Sequence, residues 1–325
     1  MKKRLLFPLV AIMLLAGAWF AGPAAPGISI SVDSPVQPLS VSLASLDQFV
    51  QEREALYTDI KPDNEARVVW ANPEKKEKTG WSIVYLHGFS ASQQEGYPVH
   101  RQVASYYGCN LYLARLSGHG RQNDSIFMDL TPDSYLQSAK EALAIGKTLG
   151  KKVMLMGTST GGALALYLAA HDPHVQAVVL YSPLIAFYNP AAELLTSHWG
   201  LQMGRLLLGS EYLGWEPELQ ARKKYWSTRY RVEGLVALSK MVEETMRPEV
   251  FAQVQCPVFL GYYYKNEEEQ DQVVSVAAMR QMFGQLGTAS ELKKEVAFPE
   301  AGDHVIASGL LSRSWQAVRD STLHF

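Results

Sequence analysis

The segment Val153-Met-Leu-Met-Gly-Thr-Ser-Thr-Gly-Gly162 passes from an apolar run to a helix former through a glycine-bounded turn. Val153 to Met156 has the pattern of a strand buried on both faces. Gly162 to Ala170 predicts a helix, with no breaker inside it. Between them stands a G-x-S-x-G, Gly157-Thr-Ser-Thr-Gly161. Its two glycines remove side chains where strand and helix would collide in a sharp turn. Such a turn lifts Ser159 out at the carboxyl edge of a sheet, over a helix N-terminus. A nucleophile needs that exposure, and the helix start supplies N–H groups for a developing oxyanion. Taken alone, the pattern also fits an ordinary strand–helix turn whose serine caps the helix. The surrounding segments favour the nucleophile.

Upstream, Arg67–Trp70 reads as a strand and Asn72–Gly80 as a solvated hairpin loop. Trp81–Leu86 is the next strand, leaving through His87-Gly-Phe89, and Asn110–Leu116 another, leaving through Ser117-Gly-His-Gly120. Leu130-Thr-Pro-Asp-Ser134 starts a helix to about Leu149, with Thr131 as N-cap and Pro132 in the first helical position. Downstream, Val175–Ser182 is a strand. The periodicity then breaks for some sixty residues, until Pro257–Tyr264 and Leu292–Phe298 restore it. Strands alternating with helices in this way build a parallel sheet covered on both faces.

The chain has 325 residues, 47% hydrophobic and 19% charged, enough for one large α/β domain with insertions. A formal net charge of -2 argues against a nucleic-acid partner. Cys109 and Cys256 have no metal-site spacing, and neither lies near the N-terminal apolar segment, so lipoprotein attachment is excluded. Met1-Lys-Lys-Arg4 precedes an apolar run, Leu5–Ala21, the layout of an export segment. At roughly 17 residues it is just long enough for an anchor. Trp19 and Phe20 at an interface favour retention, facing outward; Ala16-Gly-Ala18 would be the cleavage site if the segment is a signal peptide, leaving a periplasmic or secreted protein. Pro35 and Pro38 predict an extended linker, and Ser45 with Gln48 a capping box on a short helix carrying Leu46, Phe49, Val50 and Leu56.

A serine nucleophile needs a base, and the base an orienting acid. His304, in the loop Ala301-Gly-Asp-His-Val305 after the last strand, fits the base. His100, His171, His174, His198 and His324 read as surface residues, and His119 as a structural one. Asp271 is the candidate acid, with Val273 and Val274 to anchor it. Glu267, Glu268 and Glu269 are its rivals, although a run of glutamates is more often a solvated face. Asp303 is adjacent to His304, but its side chain would normally point elsewhere. The oxyanion hole is assigned to the N–H groups of Phe89 and Thr160.

This set of segments, Leu86-His-Gly-Phe89, Ser117-Gly-His-Gly120, Gly157-Thr-Ser-Thr-Gly161, Asp271 and His304, resembles the α/β-hydrolase superfamily over about residues 67 to 325. Within it, the chain resembles bacterial carboxylesterases and monoacylglycerol lipases, also described as serine-aminopeptidase-like hydrolases. The resemblance implies a mostly parallel sheet flanked by helices, a helical lid after the strand that follows the nucleophile helix, and a Ser159-Asp271-His304 triad. The implied layout is an N-terminal signal or anchor segment at 1–25, linker and short helix at 26–65, core at 66–183, lid at 184–250 and core again at 251–325. Family members usually carry the acid about three residues after the glycine of its strand. Here that position is Tyr264, so an insertion before Asp271 is expected. The superfamily's strand order separates the two cysteine-bearing strands by three others, which keeps Cys109 and Cys256 unpaired.

In the lid, Leu195, Trp199, Met203, Leu206 and Leu207 would share one helical face, packed on the core or roofing an acyl pocket. Arg222-Lys-Lys-Tyr-Trp226 with Arg229-Tyr-Arg231 is a solvated face or a contact for anionic lipid or an acidic substrate. The expected chemistry is hydrolysis of a small ester or lipid through an acyl-enzyme, with no metal and no cofactor. Two alternatives remain. A peptidase of the serine aminopeptidase type should show an acidic cluster for a substrate ammonium, and a non-catalytic binding protein on the same fold would have no use for a complete triad.

Overall fold

The computed structural model describes residues 12–30 and 35–325. Seven strands form one sheet: β1 (Arg67–Val69), β2 (Thr79–Leu86), β3 (Asn110–Leu113), β4 (Gly150–Thr158), β5 (Val175–Tyr181), β8 (Val258–Tyr262) and β9 (Lys293–Ala297). Their spatial order is β1-β3-β2-β4-β5-β8-β9. All neighbours pair in parallel except β1, which runs antiparallel to β3. The 72–80 segment is therefore not a hairpin joining neighbours, because β3 inserts between β1 and β2.

The apolar runs are explained by burial on both faces. Val84 and Leu86 of β2, Leu155 of β4, and Val178 and Leu180 of β5 pack into one hydrophobic layer. The alternate residues Ile83, Tyr85, Met156, Val179 and Tyr181 enter the other. The first layer is covered by α1 (Leu46–Glu54), α3 (Pro132–Leu149) and α4 (Thr160–His171), the second by α2 (Val99–Tyr106) and α9 (Trp315–Leu323). The expected start of α3 is present. Thr131 Oγ1 accepts the Ser134 N–H at 3.1 Å and Ser134 Oγ the Thr131 N–H at 3.0 Å, with Pro132 first in the helix. Ser45 makes no such cap on α1, because its hydroxyl pairs with Ser42 instead. Leu56, expected on this helix, lies exposed just beyond its end.

Residues 12–20 are helical, with Ile12 to Leu15 exposed. Among the described residues no helix is long and apolar enough to cross a membrane. The expected anchor Leu5–Ala21 falls partly on residues 1–11, outside the described residues. The extended linker is laid along the domain by its backbone donors. Ile28 N–H reaches Glu244, Val36 N–H reaches Asp172 and Leu39 N–H reaches Thr148. Carboxylates and a hydroxyl thus satisfy groups that no sheet ladder takes up.

Between β5 and β8 the chain builds a cap of α5 (Gly200–Leu208), a ribbon of β6 (Tyr212–Gly214) with β7 (Arg229–Arg231), a single turn Arg222–Tyr225, α6 (Val232–Thr245) and α7 (Pro248–Gln253). The expected single apolar helix face is absent. Leu195 lies in a separate 3-10 segment and Trp199 has left-handed backbone, while Leu206 and Leu207 point to solvent. Helix α8 (Val276–Gln285) completes the core. Cys109 and Cys256 are both free, and β2, β4 and β5 stand between their strands as expected.

Candidate active site

Ser159 joins β4 to α4 with φ 54° and ψ −119°. A residue with a Cβ rarely adopts this conformation, and it persists only where the surroundings impose it. The two glycines of the motif explain the imposition. A Cβ on Gly157 would lie 2.4 Å from the carbonyl carbon of Gly161, and one on Gly161 only 1.9 Å from Leu86 O. The helix N-terminus is thereby pressed onto the end of β2. Ser159 is almost fully buried, yet it lines a cavity of about 360 Å³ with Phe89, Thr160 and His304. Its hydroxyl has no hydrogen bond among the described residues.

The acid and base come together. His304 Nδ1 lies 2.6 Å from Asp271 Oδ2. Asp271 Oδ1 accepts the N–H groups of Val273, at 2.9 Å, and Val274, at 3.1 Å. The insertion before Asp271 is a small hairpin. Tyr264 pairs with Gln270, and the Asp271 N–H then returns to Tyr263 O at 3.2 Å. The excursion displaces the acid in sequence while leaving it next to the strand end. Glu267 and Glu269 spend their carboxylates inside this hairpin, on Tyr264 and Lys265, and all three glutamates lie outside the cavity lining. Asp303 turns to the Val305 N–H and towards Arg222.

Burial alone would raise the Asp271 pKa. The charge and hydrogen bond of His304 outweigh it, helped by the two valine N–H groups, and hold the carboxyl below its usual range. Burial opposes the His304 imidazolium, but Asp271 overcomes this and leaves the ring above its ordinary value, with weaker help from Glu95 and Asp303. With Nδ1 engaged by Asp271, Nε2 is free to face the cavity. It has no hydrogen-bond partner among the described residues.

The N–H groups of Phe89 and Thr160 likewise have no acceptor among the described residues. Thr160 owes this to its place in the first turn of α4, where no intrahelical partner exists. Phe89 owes it to the locking of the preceding carbonyl. His87 Nε2 accepts the Leu116 N–H at 3.1 Å, so the proton is on Nδ1, which donates to Gly88 O at 2.9 Å. Burial keeps this imidazole neutral, with its pKa lowered to about 4. His119 is buried beneath it, bonded to Ser117 O and Tyr135.

Several expectations need correction. His100 is fully buried, not on the surface; its Nε2 meets Gln93 O at 2.9 Å against the ring of Tyr85. The basic aromatic cluster divides. Lys223 and Lys224 pair outside with Glu216 and Asp63. Arg222 lies between the rings of Trp215 and Trp226 and lines the cavity. The roof is made by these tryptophans with Tyr230, Leu235 and Leu238, not by α5. Glu95 also lines the cavity. The polar stretch Ser92-Gln-Gln-Glu95 carries no sequence signal for this, since it reads as a solvated turn.

The comparisons agree with this architecture. The sequence signature of the alpha/beta hydrolase family matches residues 83–320. A thermostable monoacylglycerol lipase of Bacillus sp. (strain H-257) is 28% identical over 109 residues, which cover 34% of this chain and 43% of that protein. The match therefore spans less than half of the curated relative's length. Among solved structures, one from a study of two metagenome-derived lipolytic enzymes, LipS and LipT, superposes with a TM-score of 0.66 at 16% identity, over 82% of this chain and 98% of that one. A monoacylglycerol lipase of Paleococcus ferrophilus superposes with a TM-score of 0.56 at 16% identity, over 80% and 97%. At such identity these superpositions establish the fold alone. The family signature, which runs from β2 into the last helix, shows that the chain belongs to the alpha/beta hydrolase family.

Proposed function

We propose that this chain hydrolyses carboxylic esters through an acyl-enzyme on Ser159, as a carboxylesterase or monoacylglycerol lipase. The observation that carries the reading is the strained Ser159 on the wall of a cavity it shares with an aspartate-held His304. Ser159 Oγ attacks the substrate carbonyl carbon while His304 Nε2 takes its proton. The carbonyl oxygen becomes an oxyanion facing the Phe89 and Thr160 N–H groups. Collapse of this intermediate breaks the ester C–O bond, and the alcohol leaves with the proton from His304. Water then attacks the acyl carbon, giving a proton to His304, and collapse of the second intermediate breaks the bond to Ser159 Oγ, which takes that proton back from His304 as the acid leaves. Asp271 holds the imidazole in one tautomer throughout and stays ionised. Leu184, Phe187, Leu235, Leu238 and Val273 supply an apolar wall for the acyl chain, in keeping with the lipase name of the Bacillus relative.

The test is labelling by a fluorophosphonate together with turnover of p-nitrophenyl esters. Both are expected in the wild type and lost in Ser159→Ala, whose fold stays intact. Ester turnover surviving in the purified variant refutes the assignment. The peptidase alternative has less support, because the 267–269 glutamates do not line the cavity.

We also propose that the N-terminal segment is retained as an anchor and places the enzyme outside the cytoplasm. The support is the basic Met1–Arg4 flank, the apolar run behind it and the exposure of Ile12 to Leu15. Recovery in the membrane fraction is expected; a soluble protein with a mature N-terminus near Ala18 rejects it.

A further inference from the structure

Glu95 has no part in the triad mechanism, yet it is a buried ionisable group in the wall of the active-site cavity. It belongs to the turn Gln93–Gly96, which rests on the ring of Tyr85; a Cβ on Gly96 would lie 2.5 Å from Tyr85 Cζ. Glu95 Oε2 accepts the Gly88 N–H at 2.6 Å. The same oxygen accepts the Tyr85 hydroxyl at 3.3 Å. Tyr85 Oη in turn lies 2.9 Å from Thr158 Oγ1, one residue before Ser159. These bonds connect the two segments that carry the oxyanion donors.

We infer that Glu95 is a positioning residue that registers the two halves of the oxyanion hole, by pinning the His87–Gly88 peptide to the residue preceding Ser159. The inference rests on the ester-hydrolase reading above. The segment 87–89 leaves β2 without regular structure, so its two peptide planes must be fixed by other groups. The plane ending at the Gly88 N–H is held by Glu95. The next plane is held on its carbonyl side, where Gly88 O accepts His87 Nδ1 and the Ala91 N–H at 3.3 Å. In a trans peptide the N–H lies opposite the C=O, so the Phe89 N–H is turned the other way and left without an acceptor.

Gly88 is also a point of close approach. A Cβ there would stand 2.8 Å from Glu95 Oε1 and 3.0 Å from Ser159 Cβ. The carboxylate and the nucleophile thus flank one glycine, and a small displacement of the loop would move the donor off the oxyanion. Placement of this kind is sensitive, since an error of about 1 Å can cost about 10²-fold in rate. A carboxylate suits the task because a hydrogen bond to an ionised acceptor is roughly twice as strong as a neutral one. When Glu95 is protonated on Oε1, Oε2 still accepts.

The experiment compares Glu95→Met, which keeps the length and removes the acceptor, with Glu95→Gln, which keeps a carbonyl oxygen. Steady-state kinetics with a soluble p-nitrophenyl ester is paired with amide exchange of the peptide covering 86–90, read by mass spectrometry. Glu95→Met should lose about 10²-fold in kcat, near the cost of one oxyanion donor, with KM within about threefold, and its 86–90 amides should exchange faster. Glu95→Gln should stay within about tenfold in kcat and exchange like the wild type. Wild-type kcat in Glu95→Met, or equal losses in both variants with unchanged exchange, overturns the inference. If Glu95→Met does not fold, Glu95→Asp, which withdraws the carboxylate by one methylene, takes its place, and wild-type kcat there is equally fatal. If the wild type turns over no ester at all, the ester-hydrolase reading falls, while the exchange comparison still decides whether Glu95 holds this loop.

Discussion

Replacing Glu95 by Gln should make the protein more stable in alkali than in acid, relative to the wild type. Burial raises the Glu95 carboxyl from its ordinary 4.5 to about 7, against the Gly88 N–H, which pulls the other way. The folded state therefore resists ionisation of this group more than the unfolded chain does. The stability held by the neutral form is complete below 4.5, is lost as the pH rises from there through about 7, and stays lost above. Between pH 4.5 and pH 8.5 the loss integrates to about 3 kcal/mol, at ~1.4 kcal/mol per pH decade. Glutamine cannot ionise, so this slope disappears in the variant. The difference between the two proteins across pH removes any fixed difference in hydrogen-bond strength and every titrating group except those coupled to Glu95, chiefly His304. Urea denaturation at both pH values measures it, and in melting temperature the effect amounts to roughly 5 °C. A constant difference between variant and wild type across this range would show that Glu95 ionises as freely in the fold as in the unfolded chain, and the argument from burial would fail.

Three further outcomes follow from the site. Asp271→Asn should lower kcat by about 10⁴, the size of the wrong-tautomer effect in the serine-protease triad, whereas glutamine at Glu267, Glu268 and Glu269 together should change it by less than about tenfold; the reverse result, measured on one soluble ester, moves the acid into the 264–270 hairpin. Because Glu95 helps to hold a proton on His304, Glu95→Gln should shift the acid limb of the kcat/KM profile to lower pH, and an unmoved limb would mean that the two groups do not sense each other. Gly161→Ala should fail to give labelled, folded enzyme, since its methyl would meet Leu86 O at 1.9 Å; a normally folded and fully active variant would contradict the close seating of α4 on β2.

Much of this protein is determined locally. The buried strands are legible because both of their faces are covered, which leaves continuous apolar runs such as Ile83–Leu86 and Val178–Tyr181. The sharp turn at Ser159 is legible because only glycine at 157 and 161 tolerates the collision of strand and helix. His304 is legible from its place after the last strand, and Asp271 only through its valine neighbours, since seven intervening residues hide its proximity to Tyr263. What the sequence could not disclose depends on contacts between distant segments. The β1 strand pairs with β3 across more than forty residues, so the intervening loop looks like a hairpin and is not one. The basic lid cluster divides between solvent and cavity because Trp215 and Trp226 capture Arg222 and leave its lysine neighbours outside. Glu95 is the extreme case. A polar turn is indistinguishable from any solvated loop until Tyr85 and Gly88 close over it, because burial is a property of what surrounds a residue, and here those surroundings come from a strand and a loop exit seven to ten residues away.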